Sequence, residues 1–296
     1  MSLQSSPQLM FLGGGNMAEA ILAGILAKHL YAPSDLLVAE LRPERRAELE
    51  ARHAVATAPS PRAALEALAT PPALILLATK PQQAPDLLRD LAPVLSPTTL
   101  LLSICAGIPT AALESLTPCR VIRIMPNLPA TVGHAVSALA AGSRATPDDM
   151  PAALRIFSAI GLAFPMPEDK LDLVTGLSGS GPGYVFAFME ALEAAGIEGG
   201  IAPDLARQMA IETVLGAATY AAAEAANGPD GAPPRRPTPA RLLPRRHHSR
   251  RTRRRRRPRL LRRRHRRRPR RHPPLRRARP LIPPPRSLPP PPCFRP

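Results

Sequence analysis

Cysteine is scarce in this chain. The three present, Cys105, Cys119 and Cys293, show no Cys-x-x-Cys spacing. That argues against a disulfide framework and a structural zinc site, and suits a reducing compartment. No cluster of His, Cys, Asp or Glu has metal-ligand spacing, so no metal is expected. No stretch reaches the roughly 18 uninterrupted apolar residues of a membrane span. The N-terminus lacks a basic segment followed by a long apolar run, so no signal peptide is expected; the expectation is a cytoplasmic protein without a membrane partner. Gly-x-Ser-x-Gly does not occur, and His29, His53 and His134 lie in no recognisable triad context. Serine-hydrolase chemistry is thereby set aside.

What is present divides sharply near Asn227. Residues 1–227 hold 14 Lys and Arg against 21 Asp and Glu, a net of −7. Residues 228–296 hold 26 Arg, one Asp and no Lys, a net of +25, with 19 Pro. The formal charge of +18 and the pI of about 11.5 therefore belong to the tail. The first part is long enough to bury a substantial core. The tail has too few apolar side chains to offset its ordering entropy and reads as disordered.

Leu9–Leu12 is a short apolar run that stops at Gly13, as a buried strand would. Asn16–Leu30 has helical spacing, with Met17, Ile21, Ile25 and Leu26 near one face. Leu36–Ala39 reads as a second strand and Pro43–Arg52 as a charged helix. Ala73–Ala78, Leu100–Cys105 and Arg120–Met125 are further strand candidates, with Pro85–Leu95 helical. This alternation predicts a mostly parallel sheet covered on both faces. A boundary is expected near Pro165–Pro167. Beyond it, Asp169–Gly176, Gly183–Gly196 and Pro203–Ala226 read as helices.

Gly13-Gly14-Gly15-Asn16-Met17-Ala18 joins the first strand to the first helix and fits G-x-G-x-x-[GA] through Gly13, Gly15 and Ala18. The first glycine permits a tight turn, and the second lets backbone approach a diphosphate. The small third residue allows close helix–strand packing, and the helix N-terminus attracts the phosphate charge. Glu40, at the end of the next strand, suits the ribose hydroxyls of NAD; Arg42 suits the 2′-phosphate of NADP. The choice between NADH and NADPH stays open.

Five segments in order resemble the Δ1-pyrroline-5-carboxylate reductases. They are Phe11–Ala20, Leu77-Ala78-Thr79-Lys80-Pro81-Gln82, Ser103–Ile108, Arg123-Ile124-Met125-Pro126-Asn127-Leu128-Pro129, and Val174–Tyr184, which contains Leu177-Ser178-Gly179-Ser180-Gly181-Pro182. The resemblance runs from about residue 9 to residue 224. It implies a Rossmann-type NAD(P)-binding domain over 1–165 and a helical substrate and dimerisation domain over 166–227, here incomplete. The reaction implied is hydride transfer from NADPH or NADH to a cyclic imine, giving proline. The cofactor would lie against Gly13–Ala18, Glu40, Arg42, Ala78, Thr79, Lys80, Pro81, Cys105, Ala106 and Gly107. The substrate would lie against Asn127, Ser178, Gly179, Ser180, Gly181 and Pro182, with free N–H groups before a helix near Gly183 suiting its carboxylate.

In this family a Ser-Pro-Gly-Gly-Thr-Thr-like segment follows the long helix and is expected to hold the substrate and supply the proton donor. It is absent here, so no catalytic donor is assigned. Leu243-Pro244-Arg245-Arg246-His247-His248, written in GC-rich codons and read one base later, becomes Ser-Pro-Gly-Gly-Thr-Thr. With the arginine-only basicity, this marks the tail as a frameshift product whose slip lies between about Ala225 and Arg241. Two other readings compete. A basic arm would bind nucleic acid non-specifically and lose it with salt; with Phe294 its only aromatic residue, base stacking has no support. A β-hydroxyacid dehydrogenase would place a catalytic lysine on a second-domain helix, whereas the only lysines are Lys28, Lys80 and Lys170.

Overall fold

The computed structural model describes residues 7–227, so the expectations for the tail, its disorder and its reading frame all lie outside the described residues. Eight strands form one sheet in the order β3-β2-β1-β4-β5-β6-β7-β8. They are β1 Leu9–Leu12, β2 Leu36–Ala39, β3 Ala56–Ala58, β4 Leu74–Leu77, β5 Leu100–Ser103, β6 Arg120–Met125, β7 Ala135–Ala141 and β8 Gly161–Pro165. β1 to β6 are all parallel; β7 runs antiparallel to β6 and β8 parallel to β7.

Helices α1 Asn16–Ala27, α2 Pro43–His53, α3 Pro61–Glu66, α4 Ala84–Leu91, α5 Thr110–Leu116 and α6 Asp149–Phe157 cover the sheet. Successive strand residues point to opposite faces. Leu9, Phe11, Val38, Leu76, Leu102 and Ile124 meet Ile21, Leu22 and Ile25 of α1 and Ile156 and Phe157 of α6. Met10, Leu12, Leu37, Ile75, Leu77 and Leu101 meet Leu65, Leu88, Leu91 and Leu113 of α3, α4 and α5. Both faces are buried, which is why β1, β2 and β4 are apolar at every position and β5 departs only at Ser103.

Several bounds differ from the sequence reading. α1 stops at Ala27, short of Leu30, because His29 turns the chain into the left-handed region at φ 52°. β5 ends at Ser103, short of Cys105. β3, α3, α5, β7, α6 and β8 carried no strong periodic signal. β7 is Ala-Val-Ser-Ala-Leu-Ala-Ala, a composition that favours helix. It is a strand because pairing with β6 buries Ala138, Leu139 and Ala140: tertiary context overrides propensity.

After β8 come α7 Leu171–Val174, one π-helical turn over Thr175–Gly179, α8 Gly181–Glu198 and α9 Pro203–Asn227. α8 and α9 pack as a hairpin. A Cβ on Gly196 would lie 3.1 Å from that of Ala206, and Arg207 pairs with Glu193 at 3.1 Å. Tyr184, Phe186, Phe188, Met209, Leu215 and Tyr220 are nonetheless exposed.

Candidate functional site

β1, β2, β4, β5 and β6 are parallel, so their carboxyl ends share one rim. The order reverses between β2-β1 and β4-β5, and such a switch point opens a crevice for ligands. Gly13–Ala18, Glu40–Arg42, Ala78–Pro81, Cys105–Gly107 and Asn127 all follow these strands, so the fold gathers them along that rim.

The three glycines meet different demands. Gly13 has φ +102°, and a Cβ there would lie 2.9 Å from the Ala78 carbonyl oxygen. Only glycine accepts that backbone without strain. A Cβ on Gly14 would meet Leu49 at 2.7 Å. A Cβ on Gly15 would meet no protein atom within 4 Å. Gly15 is the N-cap of α1 with no side-chain cap, and the first N–H groups of a helix have no intrahelical partner. Open backbone beside unpartnered donors at a positive helix end fits a dinucleotide diphosphate. Ala18 is buried and small enough for α1 to lie close to the sheet; Asn16 is exposed and Met17 half-buried beside the turn.

Glu40 is firmly held. Its Oε2 accepts the Gly14 N–H at 3.0 Å, and its Oε1 accepts the Arg42 N–H at 3.0 Å and Nε at 3.3 Å. Burial pushes its pKa up, but these bonds outweigh it and hold the carboxyl below its ordinary value. The Arg42 side chain is 67% exposed beside it.

Lys80 is exposed at the β4 end, while the Thr79 hydroxyl is buried and has no partner. Cys105 is buried, and burial drives its thiol pKa up despite bonds involving Ser103 and Thr79. Its thiol is neither a nucleophile nor within a ligand's reach, so this loop offers backbone together with the exposed Ala106 and Gly107.

Two groups of expected substrate residues are engaged within the chain. The Asn127 amide is tied to its surroundings: it is buried, one Nδ2 hydrogen goes to the Ser178 carbonyl at 3.0 Å, and its Oδ1 accepts the Val136 N–H at 2.8 Å. Ser178–Pro182 is not an open loop. The π turn runs into α8, which begins at Gly181, two residues before the expected start. Ser180 donates its N–H to Thr175 at 2.8 Å and Gly183 to Ser180 at 3.0 Å, and Pro182 has no N–H. Tyr184 donates its hydroxyl to the carbonyls of Gly176 and Leu177 at 2.7 and 2.6 Å, tightening the same turn.

Other partners were invisible in the sequence. Buried Arg123 meets Glu168 at 3.3 Å and Asp172 at 3.0 Å, and Glu168 also accepts Thr110 N–H and Oγ1 at the start of α5. Asp169 pairs with Lys170, and Asp172 stays largely exposed. Glu19, one turn into α1, accepts bonds from Arg45, His53 and Arg52 of α2. These residues are 26 or more positions apart, beyond any local pattern. Among the described residues no group of His, Cys, Asp and Glu could hold a metal.

Burial pushes the Glu19 pKa up, but the bonds from Arg45, His53 and Arg52 prevail and hold it at about 2 against 4.5. A carboxyl depressed in the folded state stabilises above its unfolded pKa and loses that contribution as pH falls through the folded one. Stability should therefore drop as pH falls from about 4.5 toward about 2. Acid unfolding curves of Glu19→Gln should lose that part of the slope; unchanged curves would contradict the assignment.

The family model described as pyrroline-5-carboxylate reductase dimerisation matches residues 168–231. That described as NADP oxidoreductase, coenzyme F420-dependent, matches residues 8–107. The chain is 41% identical over 214 residues to the pyrroline-5-carboxylate reductase of Synechocystis sp., covering 72% of this chain and 78% of that one. The chain belongs to the pyrroline-5-carboxylate reductase family. Among solved reductases of that name, the one from Coxiella burnetii shares 31% identity at a TM-score of 0.68, covering 74% of this chain and 81% of its own. A pyrroline carboxylate reductase from Plasmodium falciparum, solved with NADP bound, shares 27% identity at a TM-score of 0.64, covering 73% and 79%. Among the described residues no helix is long and apolar enough to cross a membrane.

Proposed function

We propose that the chain is a reductase that takes hydride from NADPH or NADH to the imine carbon of Δ1-pyrroline-5-carboxylate, forming L-proline as the last step of proline biosynthesis, in the cytosol. The observation that carries this is the glycine turn at the switch point, with Gly15 open, inside a chain of this family. The nicotinamide supplies the hydride; the protein supplies binding, orientation and electrostatics.

Residues 1–165 form the dinucleotide-binding part and 166–227 the substrate and dimerisation part. The diphosphate lies over Gly13–Ala18, with Glu40 and Arg42 toward the adenosine ribose. Ala78–Pro81 and Ala106–Gly107 flank the rest, with Lys80 as an exposed cation on that wall. Ser178–Pro182 borders the imine, and Asn127 acts on it indirectly, by holding the Ser178 carbonyl. A second copy of the chain covers the exposed apolar side chains of α8 and α9, as the match to the dimerisation family supports. The tail's arginines take no part in this function.

Titration with NADPH and NADH is expected to be saturable. Pyrroline-5-carboxylate should drive coenzyme oxidation in preference to β-hydroxy acids as substrates of the reverse, coenzyme-reducing assay. Turnover of hydroxy acids with none of the imine would overturn the proposal.

A further inference from the structure

Arg45 sits in the first turn of α2, and its side chain is only 10% exposed. Its guanidinium reaches three elements. Nε donates to the Gly14 carbonyl at 2.8 Å, Nη2 to Glu19 on α1 at 2.5 Å, and Nη1 to Glu48 on α2 at 2.8 Å. A planar fork of five donors can do this; a lysine ammonium on a flexible stem cannot match the geometry.

We infer that Arg45 is a positioning residue for the coenzyme: it fixes the Gly14–Gly15 peptide plane and so aims the Gly15 N–H and the first turn of α1 at the diphosphate. The inference rests on reading Gly13–Ala18 as the coenzyme turn. In a planar trans peptide the carbonyl of one residue and the N–H of the next point in opposite directions. Drawing the Gly14 oxygen toward α2 therefore turns the Gly15 N–H away from α2. The Gly14 N–H is held separately, by Glu40 at 3.0 Å. Both polar groups of Gly14 are thus anchored by side chains more than 25 residues away, at separations of 26 and 31. Three consecutive glycines have more backbone freedom than any other tripeptide. A turn ordered before the ligand arrives spares binding that ordering cost.

Removing Arg45 leaves its two carboxylate partners served, and only the Gly14 carbonyl loses its bond. Glu19 retains Arg52 and His53, and Glu48 is 54% exposed. A folded variant is therefore expected. The experiment is calorimetric titration of the full chain with NADPH and NADH, for wild type, Arg45→Met and Arg45→Lys, alongside thermal melts. Raised salt screens the tail's attraction for phosphate, and the tail is common to all three proteins. Both variants should bind both coenzymes about tenfold more weakly. Arg45→Lys keeps a cation beside Glu19, so its melting temperature should recover toward wild type while its affinity does not. Affinities within about twofold of wild type in both variants would overturn the inference. So would a Lys variant whose affinity recovers in step with its melting temperature, since that pattern marks a merely structural ion pair. Wild type without saturable binding would instead overturn the reading of the turn, and this inference with it.

Discussion

Gly15→Ala is expected to leave the melting temperature where it is and to weaken NADPH and NADH binding by about tenfold or more. Gly15 has φ −69° and ψ 179°, a conformation alanine adopts freely, and the added methyl meets no protein atom within 4 Å. The small N-cap cost of alanine is offset by the lower entropy of its unfolded chain, and only a ligand seated on the open backbone would meet the methyl. Gly13→Ala should fail differently. Its φ of +102° disfavours any Cβ, and that Cβ would press on the Ala78 carbonyl. Strain of about 1–3 kcal/mol and overpacking of a similar size are enough to endanger the fold itself. Melts and coenzyme titrations on the two variants separate the effects. A Gly15→Ala protein that binds as tightly as wild type would place the diphosphate elsewhere.

The second large effect concerns residues beyond Asn227. A gene shifted by one base near the end of α9, restoring Ser-Pro-Gly-Gly-Thr-Thr, should give a protein that reduces the imine about 100-fold or more faster than the chain as written, the usual range for a positioned proton donor. A protonated ring imine accepts hydride more readily, and several polar groups near the site are already engaged: Cys105 is buried, Asn127 donates to Ser178 and accepts from Val136, and Tyr184 donates its hydroxyl to the turn. The restored protein should also sediment as a dimer, covering the apolar side chains of α8 and α9. Equal turnover by the two proteins would end this reading. Mass analysis of the natural protein's C-terminal peptides tests it independently, since the arginine text and the shifted text share almost no peptide.

Strands β1, β2, β4 and β5 were legible because strands buried on both faces read as nearly unbroken apolar runs between turn residues, and β6 because Val, Ile and Met dominate it. β7 and α6 were not. Alanine-rich β7 has no strand signature of its own, and its state follows from the neighbour it pairs with. The site divides similarly. The glycine turn and the loops after β4 and β5 could be read because a backbone demand or a strand end marks them locally. The engagement of Asn127 with Ser178, the tether from Arg45 to Gly14 and the Glu168 contacts could not: their partners lie 51, 31 and 45–58 residues apart.

Sequence alone therefore determined which segments are candidates for the chemistry, since tight turns, helix starts and apolar strands impose rules on a few adjacent residues. Tertiary structure alone decided which polar groups in those segments stay open to a ligand. A donor or acceptor is free only if no distant residue folds back to bond it, and no local pattern records that.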